Sequence, residues 1–120
     1  MNKTTLVIGA SLKPQRYSNR AIRKLRQYNH NVKALGLRKG DVEDVTIDTE
    51  LMPYVDLDTV TLYLNPMRQK SYYDYIINLK PLRVIFNPGT ENPEFYNLLK
   101  QNSIEFEVAC TLVLLATDQY

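Results

Sequence analysis

The chain has no tryptophan, one cysteine, one histidine and four glycines in 120 residues. A lone Cys110 excludes an internal disulfide framework, and no basic start leads into a long apolar run of the secretory kind. A cytoplasmic setting is the expectation. No stretch approaches the roughly 20 apolar residues needed to cross a bilayer, so no membrane role is expected. Lys+Arg 15 against Asp+Glu 13 leaves a net charge of +2, well short of the excess that marks a general nucleic-acid binder. Any basic patch must be local. Ligand spacing for a metal is missing, and Cys110 has no histidine near it in sequence, so a small buried residue is expected there rather than a nucleophile. His30 falls after a helix, where an exposed turn residue is expected rather than a catalytic base.

Hydrophobic residues make up 44% and charged residues 23% of the chain, an ordinary globular balance. Residues 1–120 suit one domain. Thr4-Thr5-Leu6-Val7-Ile8 is short, continuous and rich in β-branched residues, the mark of a strand buried on both faces. Ala21, Ile22, Leu25 and Tyr28 then recur at helical spacing, with Ser18 or Asn19 available as the cap. Val32 to Leu37 reads as a second strand, which completes a βαβ unit. Asp41 to Asp58 reads as mostly loop with a short helix or strand. Thr59 to Leu64 is a third strand, and Tyr72, Ile76 and Leu79 predict a helix before Pro81. Arg83 to Phe86 is a fourth strand. Asn92-Pro93-Glu94 is a helix start, because Asn caps, Pro suits the first turn and an acid favours the positive dipole end. The alternation from Ile104 to Val108 predicts a fifth strand at an edge, and the apolar run Thr111 to Ala116 should cover the core. The expectation is an α/β fold: a single Rossmann-like domain with a five-stranded, mainly parallel sheet.

In such a sheet ligands bind beyond the carboxyl ends of the strands, where the strand order reverses. Gly9-Ala10-Ser11 is the first candidate, since glycine admits a phosphate close to the backbone and the next helix offers free N–H groups. Lys13, Arg16, Ser18, Asn19 and Arg20 surround it. The competing reading is a tight turn with solvated charges. One glycine is too few for the G-x-G-x-x-G dinucleotide fingerprint. Arg38 and Lys39, beyond Gly36, stand where an NAD-binding domain places an acid; cations there suit a ribose with an additional phosphate, as in coenzyme A and NADP. Asp41, Glu43 and Asp44 follow and offer the alternative of a neutralised surface turn. Asn65-Pro66 and Asn87-Pro88-Gly89 end two strands alike and flank the same crevice, although such residues also form ordinary turns and caps. The tyrosines at 72, 73 and 75 suit packing more than ligand stacking.

Together, Val7-Ile8-Gly9-Ala10-Ser11, Ser18-Asn19-Arg20, Leu35-Gly36, Asn87-Pro88-Gly89-Thr90-Glu91-Asn92 and Ala109-Cys110-Thr111 resemble the stand-alone CoA-binding domains, similar to the nucleotide-binding domain of the succinyl-CoA synthetase alpha subunit. The resemblance covers nearly the whole chain. It implies strand order 3-2-1-4-5 with helices on both faces, and a bound coenzyme A or acyl-CoA. By carry-over, Gly9, Ala10, Ser11, Lys13 and Ser18 meet phosphates, Arg38 and Lys39 meet the adenosine end, and Asn65 and Pro66 lie near the ribose or adenine. The ligase chemistry of larger relatives is not expected, which leaves a small nucleotide-binding protein without catalysis of its own. A NADP-dependent oxidoreductase and an interaction module without ligand are the alternatives.

Overall fold

Short β-branched segments can be buried on both faces only if helices cover each side of the sheet. A computed structural model describes residues 2–120 and has this arrangement. In chain order its elements are β1 (Thr5–Ala10), α1 (Tyr17–Gln27), β2 (Val32–Gly36), β3 (Gly40–Val42), β4 (Val45–Asp48), β5 (Thr59–Leu62), α2 (Pro66–Gln69), a 3-10 turn (Lys70–Tyr72), α3 (Tyr73–Leu79), β6 (Arg83–Phe86), α4 (Pro93–Gln101), β7 (Glu105–Val108) and α5 (Thr111–Ala116). The strands form one sheet in the order β3-β4-β2-β1-β5-β6-β7. All neighbours are parallel except β3 and β4, which make an antiparallel hairpin.

Strand alternation divides the core in two. Leu6, Ile8, Leu35, Val60, Leu62, Val84 and Phe86 face Ile76 of α3 and Phe95 and Leu99 of α4. Val7, Ala34 and Ile47 face Ile22 and Leu25 of α1 and Leu115 of α5. Phe86 sits edge-on to Phe95, Tyr96 and Phe106, with ring centroids at 5.8, 4.7 and 5.9 Å. This aromatic cluster holds α4 and the edge strand β7 to the sheet, each ring burying a large apolar area in a favoured tilted geometry.

Four expectations need correction. The sheet has seven strands rather than five, because 41–58, expected to be mostly loop, contains β4 and most of β3. These strands are only three and four residues long, too short to show a period. The order differs as well: the Thr59 segment pairs with β1 instead of lying outside the second strand, a place that β4 occupies. The cap of α1 is Arg16, with no side-chain hydrogen bond, so neither Ser18 nor Asn19 caps it.

His30 is buried, 7% exposed, where an exposed turn residue was expected. The reason is local. Asn29 adopts φ 66° and donates its N–H to Arg26, while His30 donates its own to the Leu25 carbonyl. This paired ending turns the following residue back under the helix. His30 Nδ1 then accepts the Lys3 N–H at 2.9 Å, and the ring packs at 5.0 Å from that of Tyr120.

Asn87 fastens the structure just after β6. Its Nδ2 donates to Thr61 Oγ1 at 2.7 Å and to the Leu62 carbonyl at 2.9 Å, and its Oδ1 accepts the Thr111 N–H at 2.9 Å. One buried amide therefore joins β5, the loop after β6 and the first residue of α5. Removing it strands buried partners at roughly 1–3 kcal/mol per unsatisfied group. Asn87→Ala is expected to lower the unfolding free energy by about 3 kcal/mol, read from urea denaturation; a loss below about 0.5 kcal/mol would mean that water replaces the amide without penalty.

Burial holds the His30 pKa below the ordinary histidine value, and Lys3 pushes it the same way. Between the native value and about 6.5 the unfolded chain therefore binds a proton that the native chain does not. Stability conferred by neutral His30 is complete above that window and is lost as the pH falls through it. Urea midpoints measured from about pH 7 down to about pH 5 should fall more steeply for the wild type than for His30→Gln; parallel curves would remove His30 as the cause.

Candidate functional site

The site begins with a strand end that only glycine permits. Gly9 has φ +91°, and the pairing of β1 with β2 slips a register between Ile8 and Ala10, the sign of a bulge that redirects a strand. A side chain at Gly9 would stand 3.0 Å from the Tyr63 carbonyl carbon. Across the bulge, a Cβ on Gly36 would come within 2.4 Å of the Ala10 carbonyl oxygen. Two glycines thus bring the ends of β2, β1 and β5 together. The chain turns from β1 toward β2 on one side and returns to β5 on the other, and the crevice opens at that reversal.

Two adjoining hollows make up the crevice, of about 400 Å³ and about 360 Å³. Gly9, Ser11, Arg16, Tyr63, Leu64 and Arg68 line both. Ser18, Asn65, Pro88 and Gly89 line the side toward β6. Ala10, Lys13, Gly36 and Arg38 line the side toward β2, with Leu12, Leu37 and Tyr72. Most of the residues singled out in the sequence meet here. Lys39, Pro66, Asn19 and Arg20 lie outside the lining. Lys39 sits in the exposed turn into β3, and Pro66 occupies the first turn of α2. Asn19 is buried and ties α1 to the loop, donating from Nδ2 to the Ser11 carbonyl at 2.9 Å. The Arg20 guanidinium lies over the Tyr17 ring at 5.4 Å.

Spacing alone did not announce Arg68 or Tyr63, whereas Thr90, which also lines the crevice, falls in the Asn87–Asn92 segment that the sequence singles out. The signal for Arg68 was Asn65-Pro66 as a helix start: Asn65 Oδ1 accepts the Arg68 N–H at 2.9 Å, so this cap fixes the backbone that carries the arginine. Behind it, buried Gln69 donates from Nε2 to both the Leu64 and Thr90 carbonyls at 2.8 Å. Its Oε1 accepts from Asn92 Nδ2 at 2.9 Å. The loops after β5 and β6 are therefore braced as one wall. Asn92 also caps α4, as its sequence predicted. Of the three clustered tyrosines, Tyr73 stacks on Phe95 at 4.4 Å and Tyr75 donates to the Met52 carbonyl, while Tyr72 reaches the crevice.

The electrostatics favour an anion. Among the described residues the ion pairs are Arg26–Asp44 and Arg83–Glu107, both away from the lining. Lys13, Arg16, Arg38 and Arg68 have no acidic partner at that range. Asp44 is engaged with Arg26 by two bonds of 2.8 Å, so it does not neutralise Arg38. The start of α1 carries no acidic residue and no side-chain cap, which leaves first-turn N–H groups and a positive dipole end beside the crevice. Cys110 is half-buried at the start of α5.

The architecture recurs at full length in solved structures. A crystal structure of an uncharacterized protein matches with a TM-score of 0.97 and 44% identity, over 100% of this chain and 99% of that one. The structure of cell-free ID.343 from Thermus thermophilus is similar at a TM-score of 0.87 and 22% identity, over 99% of this chain and 91% of that one. A hypothetical protein from Pyrococcus horikoshii OT3 is similar at 0.82 and 22%, over 93% and 80%. The two more distant likenesses bear on the fold alone. No curated protein matches the sequence. The family described as CoA binding domain matches residues 3–116, nearly the whole chain and every lining residue of the crevice, and the chain belongs to that family.

Proposed function

We propose that the protein binds coenzyme A or an acyl-CoA in the crevice above β1 and β5 and catalyses no reaction by itself. The observation that carries this reading is the set of four cations without acidic partners, Lys13, Arg16, Arg38 and Arg68, around an uncapped helix start. Arg16 and Arg68 line both hollows and suit the pyrophosphate between them. Arg38 and Lys13 lie toward β2, where a 3′-phosphate on the ribose gains charge-assisted hydrogen bonds. Leu12 and Leu37, 39% and 76% exposed, offer an apolar bed for adenine on the same side. The lining contains no His, Asp or Glu; its Tyr and Lys side chains are the groups through which the oxidoreductase alternative would move a proton.

Calorimetry with coenzyme A, dephospho-CoA and NADP tests the proposal. Coenzyme A is expected to bind below about 1 mM. Loss of one charge-assisted contact should weaken binding by about tenfold or more. Arg16→Ala and Arg68→Ala should weaken coenzyme A and dephospho-CoA alike; Arg38→Ala should weaken coenzyme A and leave dephospho-CoA unchanged. NADP binding equal to that of coenzyme A would favour the oxidoreductase alternative, and no binding of any of the three would defeat the reading.

A further inference from the structure

Beside the crevice lies a smaller recess of about 210 Å³, lined by Tyr17, Tyr63, Asn87, Pro88, Cys110 and Leu112. Tyr17, Tyr63 and Pro88 also line the crevice, so the two spaces adjoin through those residues. The lining is of a different kind. No charged side chain lines the recess, whereas Arg16 and Arg68 stand in the crevice next to it. Two aromatic rings, a proline, a leucine and a thiol suit an apolar occupant. The Arg20 guanidinium over the Tyr17 ring steadies one wall, and the three hydrogen bonds of Asn87 steady another.

One polar atom is left over. The Tyr63 hydroxyl is buried and has no hydrogen-bond partner among the described residues. Thr61 and Thr111, near it, are joined to each other at 2.8 Å, and Thr61 also accepts from Asn87. Burial raises the pKa of the phenol above its ordinary value, so it stays protonated and keeps its donor. A buried donor without an acceptor is uncommon in native proteins. The hydroxyl is also closed to solvent, beside the buried Thr61 and Thr111, so it belongs to the packing behind the recess.

We infer that the recess is the subsite for the acyl end of a thioester ligand and that it takes short uncharged acyl groups. The inference rests on the coenzyme A reading of the crevice and adds the class of acyl group. At about 30 Å³ for each group of water size, the recess holds on the order of seven non-hydrogen atoms. That number accommodates a thioester with a chain of about four carbons. A terminal carboxylate would lose its hydration with no cation in the lining to replace it, so dicarboxylic acyl groups are disfavoured.

Calorimetry on the full chain with coenzyme A, butyryl-CoA, succinyl-CoA and octanoyl-CoA separates the possibilities. Butyryl-CoA is expected to bind about tenfold more tightly than coenzyme A, from the few methylene groups it buries. Succinyl-CoA, which has the same number of acyl carbons, should show no such gain, and octanoyl-CoA should forfeit it by overfilling the space. Leu112 lines the recess and not the crevice. Leu112→Trp should abolish the butyryl gain with coenzyme A affinity unchanged, and Leu112→Ala should move the preferred chain length upward. If coenzyme A binds through Arg16 and Arg68 but every thioester binds like coenzyme A, the recess assignment alone falls. Succinyl-CoA binding as tightly as butyryl-CoA overturns the uncharged class. Failure of coenzyme A itself overturns the crevice reading and the recess with it.

Discussion

The contact on which the rest of the molecule depends is the near-touch of three strand ends around Gly9. Gly36 fits under the Ala10 carbonyl and Gly9 fits against the Tyr63 backbone because neither carries a Cβ. Adding a methyl group at Gly36 would place it 2.4 Å from a carbonyl oxygen held in the ladder, with backbone rather than a flexible side chain as the obstacle. The closeness of β2, β1 and β5 makes the floor of the crevice, and the bulge at Gly9 sends the chain outward to begin α1. Fold and site are therefore set by the same two residues. Packing elsewhere in the sheet can tolerate a lost methylene at moderate cost; this junction has no slack to give.

A second constraint is electrostatic. Four cations without acidic partners around an uncapped helix start repel one another and leave first-turn N–H groups to solvent, an arrangement that contributes nothing to folding. The same chain caps α2 with Asn65 and α4 with Asn92 and pairs Arg26 and Arg83 with acids. The starts of α3 and α5 are also without a side-chain cap, and other cations lack an acid as well; what sets the crevice apart is that four such cations gather around one uncapped helix start. Local departures of this kind mark places where a sequence serves a ligand rather than its own stability, and here they coincide with the topological reversal that α/β sheets use for binding.

Much of this was readable from the sequence, and the misses have physical causes. The first βαβ unit, the cap at Asn92, the edge strand at Glu105–Val108 and the cover supplied by Thr111–Ala116 each rest on a local signal: a β-branched run, a capping residue with proline, or strict alternation. The β3–β4 hairpin escaped because such short strands carry no period, and with it went the strand order, since the hairpin fills the place outside β2. His30 was misplaced because its burial depends on Asn29 entering the left-handed region, which the residue type permits but does not demand. At the site, charge clusters found Lys13, Arg16 and Arg38. They could not find Arg68, whose position depends on two loops braced by Gln69, nor show that Lys39, just before β3, lies outside the lining.

Asn87 shows why a sequence reading of binding residues and one of structural residues are hard to separate. In sequence it stands in a turn-forming pair before Gly89 and resembles the equivalent Asn65-Pro66. In the structure the two differ. Asn65 remains exposed and caps a helix that carries Arg68 toward the crevice, whereas Asn87 is buried, 2% exposed, and its side chain spends its hydrogen bonds joining β5 to α5. Through those bonds it fixes Thr111, and with it the orientation of α5 that brings Leu112 and Cys110 to the recess. A residue that touches the recess thus also builds it. The side-chain polar atoms of Asn87 are already satisfied by the protein, so it shapes the recess without keeping a hydrogen bond to offer an occupant.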